Sequence, residues 1–330
     1  MLNENKPDVV VTFSLQDKKR TLISECLEEV SRLIYLEDVS ENKRVSILKK
    51  AFIILSWNLH REINIAQLSS LKRARLLQLL SAGVDHLEFS LIPESLVIAS
   101  NVGAYARPMA EHILGMILVL AKKLFINHRK MLDGQFDQQC LNKTLKDFVC
   151  GILGYGGIGR EVARLMKAFG SKIYAINRGG ITEDRLDFIG TLKNLDYVLK
   201  ASDTIVVTIP LNSSTKGLIG KRQLEMMKKD AVFINVARGE IVDERALYEH
   251  LVKNPGFMAG LDVWWTEPFR HGKFRTNYPF LNLPNVVGSP HNSALIPDAI
   301  RQAMKEAAFN ILKFLRGEPI KGIVRKEDYF

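Results

Sequence analysis

The sequence predicts an α/β protein built from two doubly wound parallel sheets. Three observations predict it. Short, almost wholly apolar runs recur in both halves of the chain, as strands buried on both faces require. They alternate with segments of helical period, the pattern of parallel strands with helices on either side. In the middle, three glycines, Gly154, Gly156 and Gly159, stand in G-x-G-x-x-G spacing between an apolar run and a helical stripe.

Taken in order, residues 8–13 (DVVVTF) read as the first strand and 18–30 as an amphipathic helix. Strands follow at 51–56 (AFIILS), 75–80 and 97–100. One long helix is expected over 106–132, with Pro108 early, where a helix tolerates it, and Asp133–Gly134 as its stop. The second series of strands is 148–153, 172–176, 204–209, 231–236, 258–263 and 286–287, with helix at 226–229 and 244–253. A last helix over 297–315 stops at Gly317 and is expected to return to the first sheet. Residues 324–330 read as a loose tail.

A chain of 330 residues suits two domains. The expected division is 101–291 against 1–100 with 292–330. The hydrophobic share of 47% and charged share of 25% fit an ordinary globular protein. No apolar run reaches the roughly 18 residues of a membrane helix, and MLNENKPDVVV lacks the apolar core of a signal peptide. Cys26, Cys140 and Cys150 are scattered and show no metal spacing. The expectation is a cytoplasmic protein with neither metal nor membrane. The net charge of +10 is spread along the chain, and its densest cluster, Lys72, Arg73 and Arg75, is short. It is read as a solvated surface that steers anionic substrates rather than as a nucleic-acid footprint.

The central glycines have distinct tasks. Gly154 permits the tight turn, Gly156 lets a pyrophosphate approach the backbone, and Gly159 lets the helix pack on the strand. The helix N-terminus offers free N–H groups and a positive dipole end to phosphates. The following strand ends on Asn177 and Arg178, where a carboxylate would otherwise accept the ribose hydroxyls of NAD. An amide does not repel a 2′-phosphate and a guanidinium can pair with it. NADP(H) is therefore the expected preference, with NAD(H) as the alternative.

Three later strand ends carry reactive side chains: Ala237-Arg238-Gly239, then Asp262 with Trp264-Trp265-Thr266-Glu267-Pro268, then Ser289-Pro290-His291. In open parallel sheets, ligands bind at the carboxyl ends of the strands. An arginine there can grip a carboxylate through two hydrogen bonds. A histidine can move the proton that accompanies a hydride, and a glutamate can orient it. The remaining histidines, His60, His86, His112, His128, His250 and His271, are read as structural or surface residues. Arg107 is read as half of a surface ion pair, and Trp57 as a candidate to face substrate.

In these stretches, with Ser81-Ala82-Gly83-Val84-Asp85, Pro210-Leu211 and Thr215, the chain resembles the D-isomer-specific 2-hydroxyacid dehydrogenase family. The resemblance follows the family's order and spans most of the chain. It implies a flavodoxin-like substrate domain and a Rossmann-like cofactor domain with a cleft between them, and a homodimer. It implies Arg238, Glu267 and His291 as the catalytic trio, with Arg238 also binding substrate. Ser81, Ala82, Gly83 and Val84 would hold the substrate carboxylate, chiefly through the Gly83 and Val84 amides. Gly154, Tyr155, Gly156, Gly157, Ile158, Asn177, Arg178, Pro210, Thr215, Val236, Ala237, Arg238, Asp262, His291 and Ala294 would line the cofactor. The implied activity is reduction of a small 2-keto acid such as glyoxylate or hydroxypyruvate. A phosphoglycerate dehydrogenase-like enzyme and a dinucleotide-sensing corepressor are the alternatives. The chain departs from the family's pattern at Asn177 and in a long basic stretch over 269–283.

Overall fold

The computed structural model describes residues 6–15 and 17–329, and these form two compact α/β units. One takes the described residues up to Tyr105 together with those from Ile296 onward, and the other is Ala106–Leu295. Each is built on a sheet whose strands all run parallel.

In the first unit the strands are β1 (Asp8–Val11), β2 (Arg32–Tyr35), β3 (Ile53–Ser56), β4 (Leu76–Leu79) and β5 (Val97–Ala99), in spatial order β2-β1-β3-β4-β5. The order reverses beside β1, as in a flavodoxin-like sheet. Every residue of β1, β3 and β4 is buried, which is why each reads as a short, mainly apolar run. At the edge, β2 is half-exposed, and Arg32 pairs with Asp8 of β1 at 2.6 Å.

The helix Ala299–Leu315 returns to this sheet through a buried polar link. Asn310 Nδ2 donates to Gln78 Oε1 of β4 at 2.7 Å and to Lys321 O, while Asn310 Oδ1 accepts from Lys321 N. The stretch expected to be a loose tail is fixed as well. Val324 N donates to Ile98 O of β5, residues Lys326–Tyr329 form a helical turn, and the Tyr329 ring stacks on Phe89 at 4.7 Å. Burial of the Tyr329 ring supplies what a short polar sequence did not advertise. Phe330 lies outside the described residues.

The second unit carries β6 (Val149–Leu153), β7 (Lys172–Ile176), β8 (Phe188–Gly190), β9 (Thr204–Val207), β10 (Val232–Asn235), β11 (Met258–Leu261) and β12 (Val286–Gly288). Their order is β12-β11-β10-β9-β6-β7-β8, a Rossmann-like arrangement that reverses between β6 and β9. The expected long helix is two helices, Ala106–Ala121 and Leu124–Leu132. Lys123 breaks it by adopting a left-handed conformation (φ 50°), and beside the break Lys122 Nζ donates to Lys143 O. The first of the two buries Ile113, Met116, Ile117 and Leu120 against the sheet, with Met116 against Gly260 of β11. The helix expected at 226–229 lies instead at Lys221–Met226.

Candidate functional site

The glycine turn follows β6, where the sheet order reverses. Gly154 adopts φ 113°, and a Cβ there would come within 2.6 Å of Ile209 N. A Cβ on Gly159 would meet Gly154 O at 2.4 Å. These two glycines are therefore demanded by the fold. Gly156 is different: a Cβ there meets nothing within 4 Å. It precedes the helix Gly157–Ala168, whose first turn offers backbone N–H groups and the positive end of the helix dipole. This open, donor-rich cradle fits the pyrophosphate of a dinucleotide.

Around the turn, several expected cofactor residues are committed to local structure. Tyr155 is buried in the core beside the helix Gly157–Ala168, and its hydroxyl donates to Asp184 Oδ2 at 2.9 Å. Burial and the neighbouring carboxylate push this phenol up to about 12. Arg160 also donates to Asp184 and lies over the Tyr155 ring. Asn177 Oδ1 accepts from Gly180 N at 2.6 Å, and its Nδ2 donates to Ile181 O at 2.8 Å. Its amide thus shapes the loop beyond β7, and Arg178 beside it is exposed. Thr215 is buried, with its hydroxyl spent on Pro210 O at 2.6 Å. Ile158 is half-buried against the core.

The three reactive residues come from adjacent strands, because β10, β11 and β12 are neighbours in register. Asn235, the last residue of β10, accepts from Ala237 N and donates to Arg238 O. This side-chain turn presents Arg238 in extended backbone just beyond the buried Val236 and Ala237. Gly239 follows with no room for a side chain: its Cβ would stand 2.5 Å from the Trp264 carbonyl carbon.

Glu267, 6% exposed, accepts from Trp264 N at 2.7 Å through Oε1 and faces His291 Nδ1 at 2.7 Å through Oε2. An ionised carboxylate only accepts, so Nδ1 carries the hydrogen and Nε2 is the ring's other protonation site. His291 holds φ 52°, a conformation uncommon for a side-chain-bearing residue, found where surrounding contacts enforce it.

Asp262 supplies that enforcement. Its side chain is fully buried at the end of β11. Oδ1 accepts from Ser289 Oγ at 2.5 Å and Asn292 N at 3.1 Å, and Oδ2 accepts from Ser293 N at 3.1 Å. Burial alone would raise this carboxyl, but the hydrogen bonds from Ser289, Ser293 and Asn292 outweigh it and hold the group below the usual range. Asp262 thus grips the loop on both sides of His291.

Two histidines read from sequence as structural or surface residues also touch this site. His112 Nε2 is 3.0 Å from Ser289 Oγ and 3.8 Å from Asp262 Oδ1, and His271 Nδ1 accepts from Glu267 N. The signal for His271 was its place four residues after Glu267, whereas nothing local marks His112.

In the other unit, Ser81–Val84 forms the turn beyond β4. Ser81 Oγ donates to Gly83 O at 2.9 Å, and Val84 is buried. Trp57 follows β3 and meets Phe13 edge-on at 6.4 Å. Arg107 pairs with Glu111 on the exposed helix surface, as expected.

The chain belongs to the D-isomer specific 2-hydroxyacid dehydrogenase family, whose NAD binding domain matches residues 114–293. It is 32% identical over 251 residues to a D-3-phosphoglycerate dehydrogenase of Methanocaldococcus jannaschii, covering 73% of this chain and 46% of that one. The chain therefore spans about half the length of that relative. It is 27% identical to a glyoxylate reductase of Pyrococcus furiosus over 98% of this chain and 96% of the other. Among solved structures, a Pyrobaculum aerophilum protein provisionally assigned as a formate dehydrogenase superimposes with a TM-score of 0.82. It is 26% identical and covers 98% of this chain and 100% of its own.

Proposed function

We propose that the protein is an oxidoreductase that interconverts a small 2-keto acid and its 2-hydroxy acid with a nicotinamide dinucleotide. The observation that carries this is the Glu267–His291 pair at 2.7 Å, whose members follow β11 and β12, next in the sheet to the strand β10 that leads to Arg238. The dinucleotide, when bound, supplies the hydride that adds to the keto carbon and accepts it again in the reverse direction. His291 donates the Nε2 proton to the carbonyl oxygen during reduction and recovers it during oxidation. Glu267 keeps Nδ1 protonated and the ring oriented. Arg238 binds the substrate carboxylate and steadies the charge growing on the carbonyl oxygen. The unit that carries the turn Ser81–Val84 would serve as the substrate domain.

Gly154, Gly156, Gly157 and Ile158 would hold the pyrophosphate. Val236, Ala237, Pro210, Thr215, Asp262 and Ala294 would complete the dinucleotide site. Arg178, with an amide rather than an acid at Asn177, supports a preference for NADPH. The match to a glyoxylate reductase over nearly the whole of both chains supports glyoxylate as substrate, and a match to a hydroxypyruvate reductase of Thermotoga maritima supports hydroxypyruvate. The Methanocaldococcus jannaschii relative keeps 3-phosphoglycerate as the second reading.

The test is an absorbance assay of reduced-dinucleotide loss, with NADPH or NADH and glyoxylate, hydroxypyruvate or pyruvate. The oxidative direction is run with 3-phosphoglycerate. Turnover of a keto acid is expected, with His291→Gln lowering kcat by about 10² to 10⁴. Unchanged turnover in that variant would sink the assignment of His291, and faster turnover with NADH would retire the role of Arg178.

A further inference from the structure

We infer that Arg270 is a positioning residue that fixes and charge-balances the turn presenting Arg238. The inference rests on the reading of Arg238 as the carboxylate-binding residue. The basic stretch beyond Glu267 is folded down onto that turn. Arg270 Nη1 lies 2.5 Å from Glu240 Oε1, with the two side chains only 26% and 20% exposed. Glu240 stands two residues past Arg238, inside the helical turn Gly239–Ile241. Other contacts seat the chain on either side of Arg270: Trp265 Nε1 donates to Val242 O at 2.7 Å, and Asn277 donates twice to the Glu244 carboxylate.

A carboxylate two residues from the one meant to bind an anion works against that anion unless it is compensated. Arg270 compensates it, and a partly buried pair is screened less by salt than an exposed one. Without Arg270, Glu240 is free to repel the substrate or to compete for the Arg238 guanidinium.

The experiment compares Arg270→Met, Glu240→Gln, the double variant and Arg238→Gln. Each is measured for the kcat and KM of glyoxylate reduction and for the Kd of oxamate, an unreactive mimic of a 2-keto acid, by calorimetry. Arg270→Met is expected to raise KM and the oxamate Kd by about fivefold, the upper size for a partly exposed charge pair, with kcat unchanged. The double variant is expected to restore both, because the offending carboxylate has gone. A purely structural strap would show no such rescue. Arg270→Lys keeps the charge and is expected to behave as wild type, and Arg270→Gln serves if the Met variant does not fold. No rise in Arg270→Met, or no rescue in the double variant, overturns the inference while Arg238→Gln still weakens oxamate. If Arg238→Gln changes neither constant, the carboxylate role of Arg238 falls, and the role of Arg270 with it.

Discussion

The Nδ1 of His291 lies 2.7 Å from Glu267 Oε2, and the same carboxylate accepts the Trp264 amide through its other oxygen. Glu267 therefore has two separable tasks: it orients an imidazole, and it satisfies a backbone N–H that is buried with it.

Substitution separates these tasks. Glu267→Gln keeps an oxygen that can accept from Trp264 N but removes the charge facing His291. Glu267→Ala removes both. The alanine variant is expected to lose about 1–3 kcal/mol of stability, the cost of an unsatisfied buried donor, while the glutamine variant loses clearly less. Both are expected to lower kcat at least tenfold, since each weakens the orientation of His291. Thermal unfolding and steady-state kinetics on the two variants check this. Equal stability losses would show that the Trp264 contact is of no consequence.

Asp262 ties stability to acid. Its folded-state pKa lies below the ordinary 3.8, so the ionised form favours the folded state. That contribution is complete above about 3.8 and is lost as the pH falls through the lower folded value. Asp262→Asn removes the contribution and turns an amide N–H₂ toward groups that are themselves donors. The variant is expected to unfold at a lower temperature than wild type at pH 7, with the gap narrowing as the pH falls below 3.8. A gap that stays constant into acid would mean that the Asp262 charge contributes nothing.

Burial explains what the sequence made legible. The strands at the centre of each sheet, β1, β3, β4, β9 and β10, are buried along their whole length, and their short apolar runs announced them. The edge strands β2 and β8 were missed, because Arg32–Tyr35 is half-exposed and Phe188–Gly190 is only three residues long. The break at Lys123 was hidden because a lysine, not a glycine, takes the left-handed conformation. At the candidate site, Arg238, Glu267 and His291 were read from the stretches that follow β10, β11 and β12. The link from His112 to Ser289 spans 177 residues of chain and leaves no local pattern. Asn177 shows a further limit, since its position was evident and the commitment of its amide to Gly180 and Ile181 was not.

The three glycines of the turn after β6 make a final contrast. Alanine at Gly154 would be forced to φ 113° with its Cβ against Ile209 N, and alanine at Gly159 would collide with Gly154 O. Neither neighbour can yield cheaply, because both are backbone atoms. Each change is expected to cost stability, about 1–3 kcal/mol for the overpacking alone. Gly156 has φ −106° and open space where its Cβ would stand. Gly156→Ala is therefore expected to keep its unfolding temperature close to wild type, within the roughly 0.5 kcal/mol of an unstrained change. It is nonetheless expected to lose dinucleotide affinity, since the added methyl takes up space the pyrophosphate needs. Titration of NADPH followed by nicotinamide fluorescence, beside a thermal melt, tests both halves. Full affinity in a stable Gly156→Ala protein would place the pyrophosphate elsewhere, whereas loss of stability without loss of affinity would make Gly156 a structural glycine like the other two.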